Sequence, residues 1–259
     1  MPDSLVVERP ADGVVLLRLN RPERLNAIDE KLLGGLLAAF SELAGDRSAR
    51  VVVLTGAGRG FCSGLDMRSF GPSMPAADEP PLELLRFQEL MASLPLALRA
   101  LPQPVVAVVN GPAYGGGLSL CLSSDLRLCS DSAVFGNGAI GIGLSGAEMG
   151  MSYLLPRAVG AAVAAEWMLT GRAVPAREAL ERGLVSEVVE GDRLLERALE
   201  LAGSLAAGSP LALQMTKAAL QANLDAPSLE VAMELENRNQ VIAHGSEEAA
   251  AARRRWDDR

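Results

Sequence analysis

The sequence predicts an α/β fold with a helical C-terminal layer. Short apolar strands alternate with amphipathic helices through the first half, and beyond residue 189 the pattern becomes wholly helical. A third observation says where chemistry belongs. Strands over 51–55 and 105–109 each feed a glycine-rich segment, Phe61-Cys62-Ser63-Gly64-Leu65-Asp66 and Asn110-Gly111-Pro112-Ala113-Tyr114-Gly115-Gly116-Gly117. Glycines let a ligand approach the main chain, and a helix starting in the second segment adds its positive dipole end. One amide from each segment meeting at a single oxygen would stabilise an oxyanion, which points to carbonyl chemistry.

Residues 5–8 and 14–19 flank Asp12-Gly13, a strong turn signal, and predict an antiparallel hairpin. Asp29 then caps a helix along which Leu32, Leu33, Leu36, Leu37 and Phe40 recur at helical spacing, before a strand over 51–54. A second helix over about 82–101 precedes the strand 105–109. A third, from about Gly116, precedes a strand over 126–129. Between them, residues 71–81 turn to Pro, Ser, Asp and Ala without periodicity, the pattern of a mobile surface loop that could act as a lid. A strand over 185–189 closes the α/β part. Helices near 192–206, 210–223 and 228–243 follow, separated by Gly208-Ser209-Pro210 and Ala226-Pro227, and the alanines at 249–252 extend helix. The expected organisation is a core over 1–190 and a helical region over 191–259.

A length of 259 residues and 49% hydrophobic residues suffice for a sizeable core, and a net charge of −8 argues against a nucleic-acid groove. Arg253-Arg254-Arg255, the one basic run, reads as a solvated helix end. Cys62, Cys121 and Cys129 are odd in number without CxxC spacing, so neither disulfides nor a zinc site is expected, and a reducing cytoplasmic setting fits. The first residues lack a signal-peptide pattern and no apolar run is long enough to span a bilayer, so a soluble protein without membrane partners is expected. The single histidine, His244, sits beside Gly245 at a helix end, which argues against a Ser-His-Asp triad and a histidine-rich metal site. Gly56-Ala57-Gly58-Arg59-Gly60-Phe61 fails the dinucleotide fingerprint at its last glycine. Gly117-Leu118-Ser119-Leu120-Cys121 fails the hydrolase elbow in the same way, so Ser119 is not read as a nucleophile.

Several separated segments, in order, make the chain resemble the crotonase superfamily, the enoyl-CoA hydratase/isomerase family. Leu19-Asn20-Arg21-Pro22-Glu23-Arg24-Leu25-Asn26-Ala27 looks like its opening motif, and the two glycine-rich segments look like its oxyanion loops. Leu154-Leu155-Pro156-Arg157 and Leu169-Thr170-Gly171-Arg172 look like its later signatures. The resemblance implies a spiral of β-β-α turns with a C-terminal helical region that makes homotrimers, often paired into hexamers. It implies an acyl-CoA thioester substrate and no cofactor, coenzyme A entering as part of the substrate. It places the oxyanion donors on the backbone amides of Leu65 and Gly116, each worth about 3 kcal/mol to an enolate. It assigns the coenzyme A arm to Arg24, Leu25, Ser63 and Asp66, with Met67 and Arg68 continuing the rim.

The chain also departs from that pattern. Hydratases of the family hold water between two glutamates whose positions correspond to Ser119 and Ala139 here, and neither residue can act as base or acid near neutral pH. Glu148, eight residues before Pro156, falls where Δ3,Δ2-enoyl-CoA isomerases of the family carry a glutamate. One carboxylate can remove a proton from one carbon of an enolisable thioester and return it to another, and partial burial near Leu144, Met149 and Met151 would strengthen it as a base. Double-bond isomerisation with Glu148 as proton shuttle is the expected activity. Enoyl-CoA hydration in fatty-acid β-oxidation, a catalytically silent acyl-CoA binder and a nicotinamide oxidoreductase are the alternatives.

Overall fold

A computed structural model describes residues 3–69 and 80–257. The Asp12-Gly13 turn joins β1 (Leu5–Ala11) to β2 (Val14–Leu19), antiparallel with Leu5 opposite Leu19. Asp29 accepts the Leu32 amide and opens α1 (Glu30–Gly45), whose buried Leu32, Leu33, Leu36 and Phe40 face the sheet before the chain returns as β3 (Val51–Gly56). Then come α2 (Pro81–Arg99), β4 (Val105–Val109), β5 (Ala113–Tyr114) and α3 (Gly116–Ser123). After β6 (Leu126–Ser130) and β7 (Val134–Gly136), the chain forms α4 (Met151–Val159), α5 (Ala161–Thr170), β8 (Val174–Pro175) and α6 (Ala176–Glu181). It ends with β9 (Glu187–Val189), α7 (Leu194–Ala206), α8 (Pro210–Asn223), α9 (Leu229–His244) and α10 (Glu247–Asp257).

The main sheet runs β1-β2-β3-β4-β6-β9, parallel except for the first pair, and a small sheet runs β5-β7-β8. Alternation along the central strands fills two cores. Val15, Leu17, Val52, Leu54, Val105 and Ala107 join α1, α2 and α3 on one face. Val14, Leu16, Val51, Val53, Val106 and Val108 join Leu194, Ala198, Ala202 and Ala206 of α7 on the other. Central strands covered on both faces explain why they read as unbroken apolar runs.

Three differences from the sequence reading have local causes. The last strand starts at Glu187 rather than 185, because the Leu184 and Val185 amides both donate to the Ala179 carbonyl and close a turn after α6. Strands β5, β7 and β8, of two or three residues each, are too short to show periodicity. Helices α4, α5 and α6 fill a stretch where motifs, not periodicity, carried the reading. Of the segment read as a lid, residues 71–79 lie outside the described residues. Among the described residues, no helix is long and apolar enough to cross a membrane.

Helix α8 is tied to the sheet by Lys217. Its buried Nζ donates to the Gln103 carbonyl at 2.8 Å and meets Asp125 Oδ2 at 2.7 Å. Burial lowers the lysine pKa, and the Asp125 carboxylate opposes that shift.

Candidate active site

The two glycine-rich segments lie side by side at the ends of β3 and β4. The Phe61 and Cys62 amides both donate to the Pro112 carbonyl at 3.1 Å, and Tyr114 returns a bond to the Cys62 carbonyl at 2.9 Å. The approach is so close that a Cβ on Gly117 would stand 2.1 Å from the Cys62 carbonyl oxygen. Gly64 completes the fit: it has φ +93°, and its missing Cβ would lie 3.5 Å from the Gly116 nitrogen.

This packing decides where the amides point. Ile28 and Leu65 form a parallel bridge in which Ile28 donates to the Gly64 carbonyl at 2.7 Å and Asp66 donates to the Ile28 carbonyl at 2.9 Å. The intervening Leu65 amide therefore faces away from the bridge. Gly116 opens α3 after Gly115, which supplies no side-chain cap, so its amide is one of the unpaired donors of a helix N-terminus. Among the described residues neither amide has an acceptor. Two free N–H groups on adjacent, tightly packed loops are chemically able to receive a negatively charged oxygen.

Two buried or half-buried asparagines hold the turn that leads into the first loop. Asn26 Nδ2 donates to the carbonyls of Ala57 and Gly60, and its Oδ1 accepts the Arg21 amide. Asn110 Nδ2 donates to Gly58 and Gly60 from the other side, and its Oδ1 accepts the Gly56 amide. The glycines at 56–60 therefore serve a turn satisfied by side-chain amides and not a pyrophosphate cradle. Sequence reasoning gave these asparagines no role. The usable signal was an amide side chain beside a glycine run, where a tight turn has more backbone groups than backbone partners.

Glu148 sits just ahead of α4 with its Oε1 3.8 Å from the position a Cβ on Gly115 would take, so a carboxylate stands beside the oxyanion loops. Burial raises its pKa above the ordinary 4.5, and a side-chain donor from Asn137 opposes the shift. Asn137 also donates to the Gly146 carbonyl at 2.9 Å and accepts the Ala139 amide at 3.1 Å, which folds the Glu148 loop back on itself. Of the three side chains read as framing Glu148, Met151 is buried and Met149 half-buried, whereas Leu144 is 53% exposed. Ser119 is buried with its hydroxyl donated to the Met149 carbonyl at 2.6 Å, and Ala139 carries no polar group.

The residues read as the substrate rim form one edge. Arg24 ends a short 3-10 turn, Pro22–Arg24, and Leu25 follows with φ +49°. Ser63 bonds both, its amide to the Leu25 carbonyl at 3.0 Å and its hydroxyl to the Arg24 carbonyl at 3.2 Å. Met67 and Arg68 are exposed beside them. Asp66 turns inward instead: its carboxylate meets Arg21 Nη2 at 2.9 Å and accepts the Arg68 and Ser69 amides. Burial alone would raise its pKa, but those donors outweigh it and hold the carboxyl below the usual range. Arg24 and Arg68 form no ion pair among the described residues, as does Arg59 on the neighbouring turn.

A family model described as enoyl-CoA hydratase/isomerase matches residues 9–255. The chain belongs to that family. The enoyl-CoA hydratase/isomerase assignment agrees with a relative from Mycobacterium leprae named probable enoyl-CoA hydratase echA12, 46% identical over 96% of this chain and 86% of the relative. A crystal structure of an enoyl-CoA hydratase from Bacillus anthracis superimposes with a TM-score of 0.91 at 28% identity, over 98% of this chain and 96% of the other. A monofunctional enoyl CoA isomerase from M. smegmatis superimposes with a TM-score of 0.76 at 42% identity, over 89% of this chain and 98% of the other. The fold is the crotonase fold, and the protein is an enzyme of the enoyl-CoA hydratase/isomerase family acting on acyl-CoA.

Proposed function

We propose that the enzyme moves the double bond of an enoyl-CoA thioester, with Glu148 as the proton carrier and the Leu65 and Gly116 amides holding the thioester oxygen. The observation that carries this reading is the position of Glu148: its carboxylate lies against Gly115, whereas Ser119 has its hydrogen committed and Ala139 has no acid. Ionised Glu148 takes a proton from the carbon next to the thioester. Charge moves onto the oxygen facing the two amides, and the protonated Glu148 returns the proton two carbons further along. No water is added and no atom is lost. An apolar cavity of about 320 Å³, lined by Leu96, Tyr153 and Leu154, flanks the Met149-Gly150 turn and takes the acyl group.

Arg24, Arg59 and Arg68 supply exposed cations for the phosphates of the coenzyme A arm, a local positive edge on a chain of net charge −8. Asp66 shapes that edge from within through Arg21. The exposed Leu220 on α8 and Leu224 just beyond its end, with Leu229, Met233 and Val241 on α9, offer apolar surface that supports assembly into a homotrimer.

The test is incubation with 2-enoyl-, 3-enoyl- and dienoyl-CoA esters, with products read by mass and absorbance. An unchanged mass with a shifted double bond is expected. The name carried by the M. leprae relative favours a second reading, hydration, which would add the mass of water. Binding without any product would overturn both.

A further inference from the structure

Glu148 does not sit on a regular element. Residues 148–151 form a tight turn in which the Met151 amide donates to the Glu148 carbonyl at 2.9 Å, and both central residues are left-handed, Met149 at φ +46° and Gly150 at φ +81°. That is the geometry of a type I′ turn, whose first central position favours Gly, Asn or Asp and disfavours a long side chain. Methionine stays there only if something outside the turn holds it.

One such restraint is visible. The carbonyl at the centre of the turn, Met149 O, accepts the hydroxyl of Ser119 at 2.6 Å, and Ser119 is fully buried in the first turn of α3, three residues after Gly116. The Met149 side chain leans on the same place, with Sδ 3.5 Å from the position a Cβ on Gly116 would take. We infer that Ser119 is a positioning residue for the reaction: its hydroxyl clamps the Glu148 turn to the helix that presents the Gly116 amide. Proton carrier and oxyanion donor are then mounted on one rigid piece. The inference rests on the isomerase reading for the role of Glu148, but the clamp is a structural claim of its own. It gives a buried hydroxyl a task where a hydratase would need a carboxylate.

The closing experiment compares Ser119→Ala and Ser119→Cys with the unmodified enzyme and with Glu148→Gln. Cysteine keeps nearly the shape of serine but is a far weaker donor, so it separates packing from hydrogen bonding. Both Ser119 variants are expected to lower kcat by at least tenfold with KM within twofold, because groups displaced by an ångström lose rate rather than affinity. The acidic limb of the kcat profile is expected to move to lower pH as a loosened Glu148 becomes hydrated. Crystal structures of both are expected to show Met149 relaxed out of the left-handed region. A Ser119→Cys enzyme as fast as the original, a limb that does not move, or a turn that stays left-handed in Ser119→Ala overturns the clamp. The crystal readout needs no turnover, so it stands even if full activity in Glu148→Gln refutes the proton-carrier reading.

Discussion

The two halves of the site are built by opposite means. The proposed oxyanion half is all main chain, its loops buried against one another so closely that one added carbon at Gly117 would collide with Cys62. The proposed proton-transfer half is one side chain, Glu148, on a loop whose neighbours Ile142 and Leu144 are more than half exposed. A main-chain site is fixed by packing and survives most side-chain changes around it. A side-chain site depends on the residue itself. A shared enolate-stabilising frame can therefore serve several reactions by exchanging carboxylates at its edge.

The largest effect should come from breaking the main-chain half. Gly117→Ala places a carbon 2.1 Å from a backbone oxygen, where no rotamer change relieves it. The expected outcome is a loss of about 3 kcal/mol in a urea titration together with activity at background. Near-normal turnover would show that the loops can separate without consequence.

Glu148→Gln tests the other half. It should lower kcat by about 10²- to 10⁴-fold while coenzyme A ester affinity, read by calorimetry, stays within a few-fold. A drop in affinity matching the drop in rate would move Glu148 from proton transfer to binding.

The pH dependence sharpens the contrast, because only the side-chain half titrates. Burial raises the Glu148 pKa, so the acidic limb of kcat should lie above 4.5 and vanish in Glu148→Gln. The sign for stability is the reverse: the fold favours the neutral acid, so this contribution is fully present below 4.5 and lost as pH rises through the folded pKa. Denaturation midpoints of the two proteins across pH should diverge in that direction.

The smallest effect belongs to the rim. Arg24→Ala should raise KM by about three- to tenfold with kcat unchanged, and the difference should shrink at high salt, since exposed charges are screened within about 10 Å at 0.1 M. An altered kcat would place Arg24 closer to the reacting atoms than its exposed position implies.

The sequence made the oxyanion half more legible than the other. Glycine runs after apolar strands announce close main-chain approach, and Gly64 and Gly117 are glycines for that reason. Central strands such as Val51–Gly56 read as continuous apolar runs because both faces are covered. Asn26 and Asn110 were harder to read, since an amide that satisfies a turn looks like any polar loop residue until its partners are known. Ser119 illustrates the remaining gap. Its position showed a carboxylate missing, and only the fold brings it to Met149, thirty residues away in sequence. Left-handed Met149 and Leu25 leave no mark on a sequence, because their conformations are imposed by tertiary contacts.

Cys62 lies within the first glycine-rich loop with no solvent exposure, its thiol pushed up to about 12 by burial, and Cys121 within α3 is in the same state. Such thiols react with an alkylating reagent only while the structure above them is open. Their labelling rate therefore times the opening of the catalytic loops on the intact enzyme, with no introduced probe, and substrate should slow that clock by as much as its binding holds the loops shut.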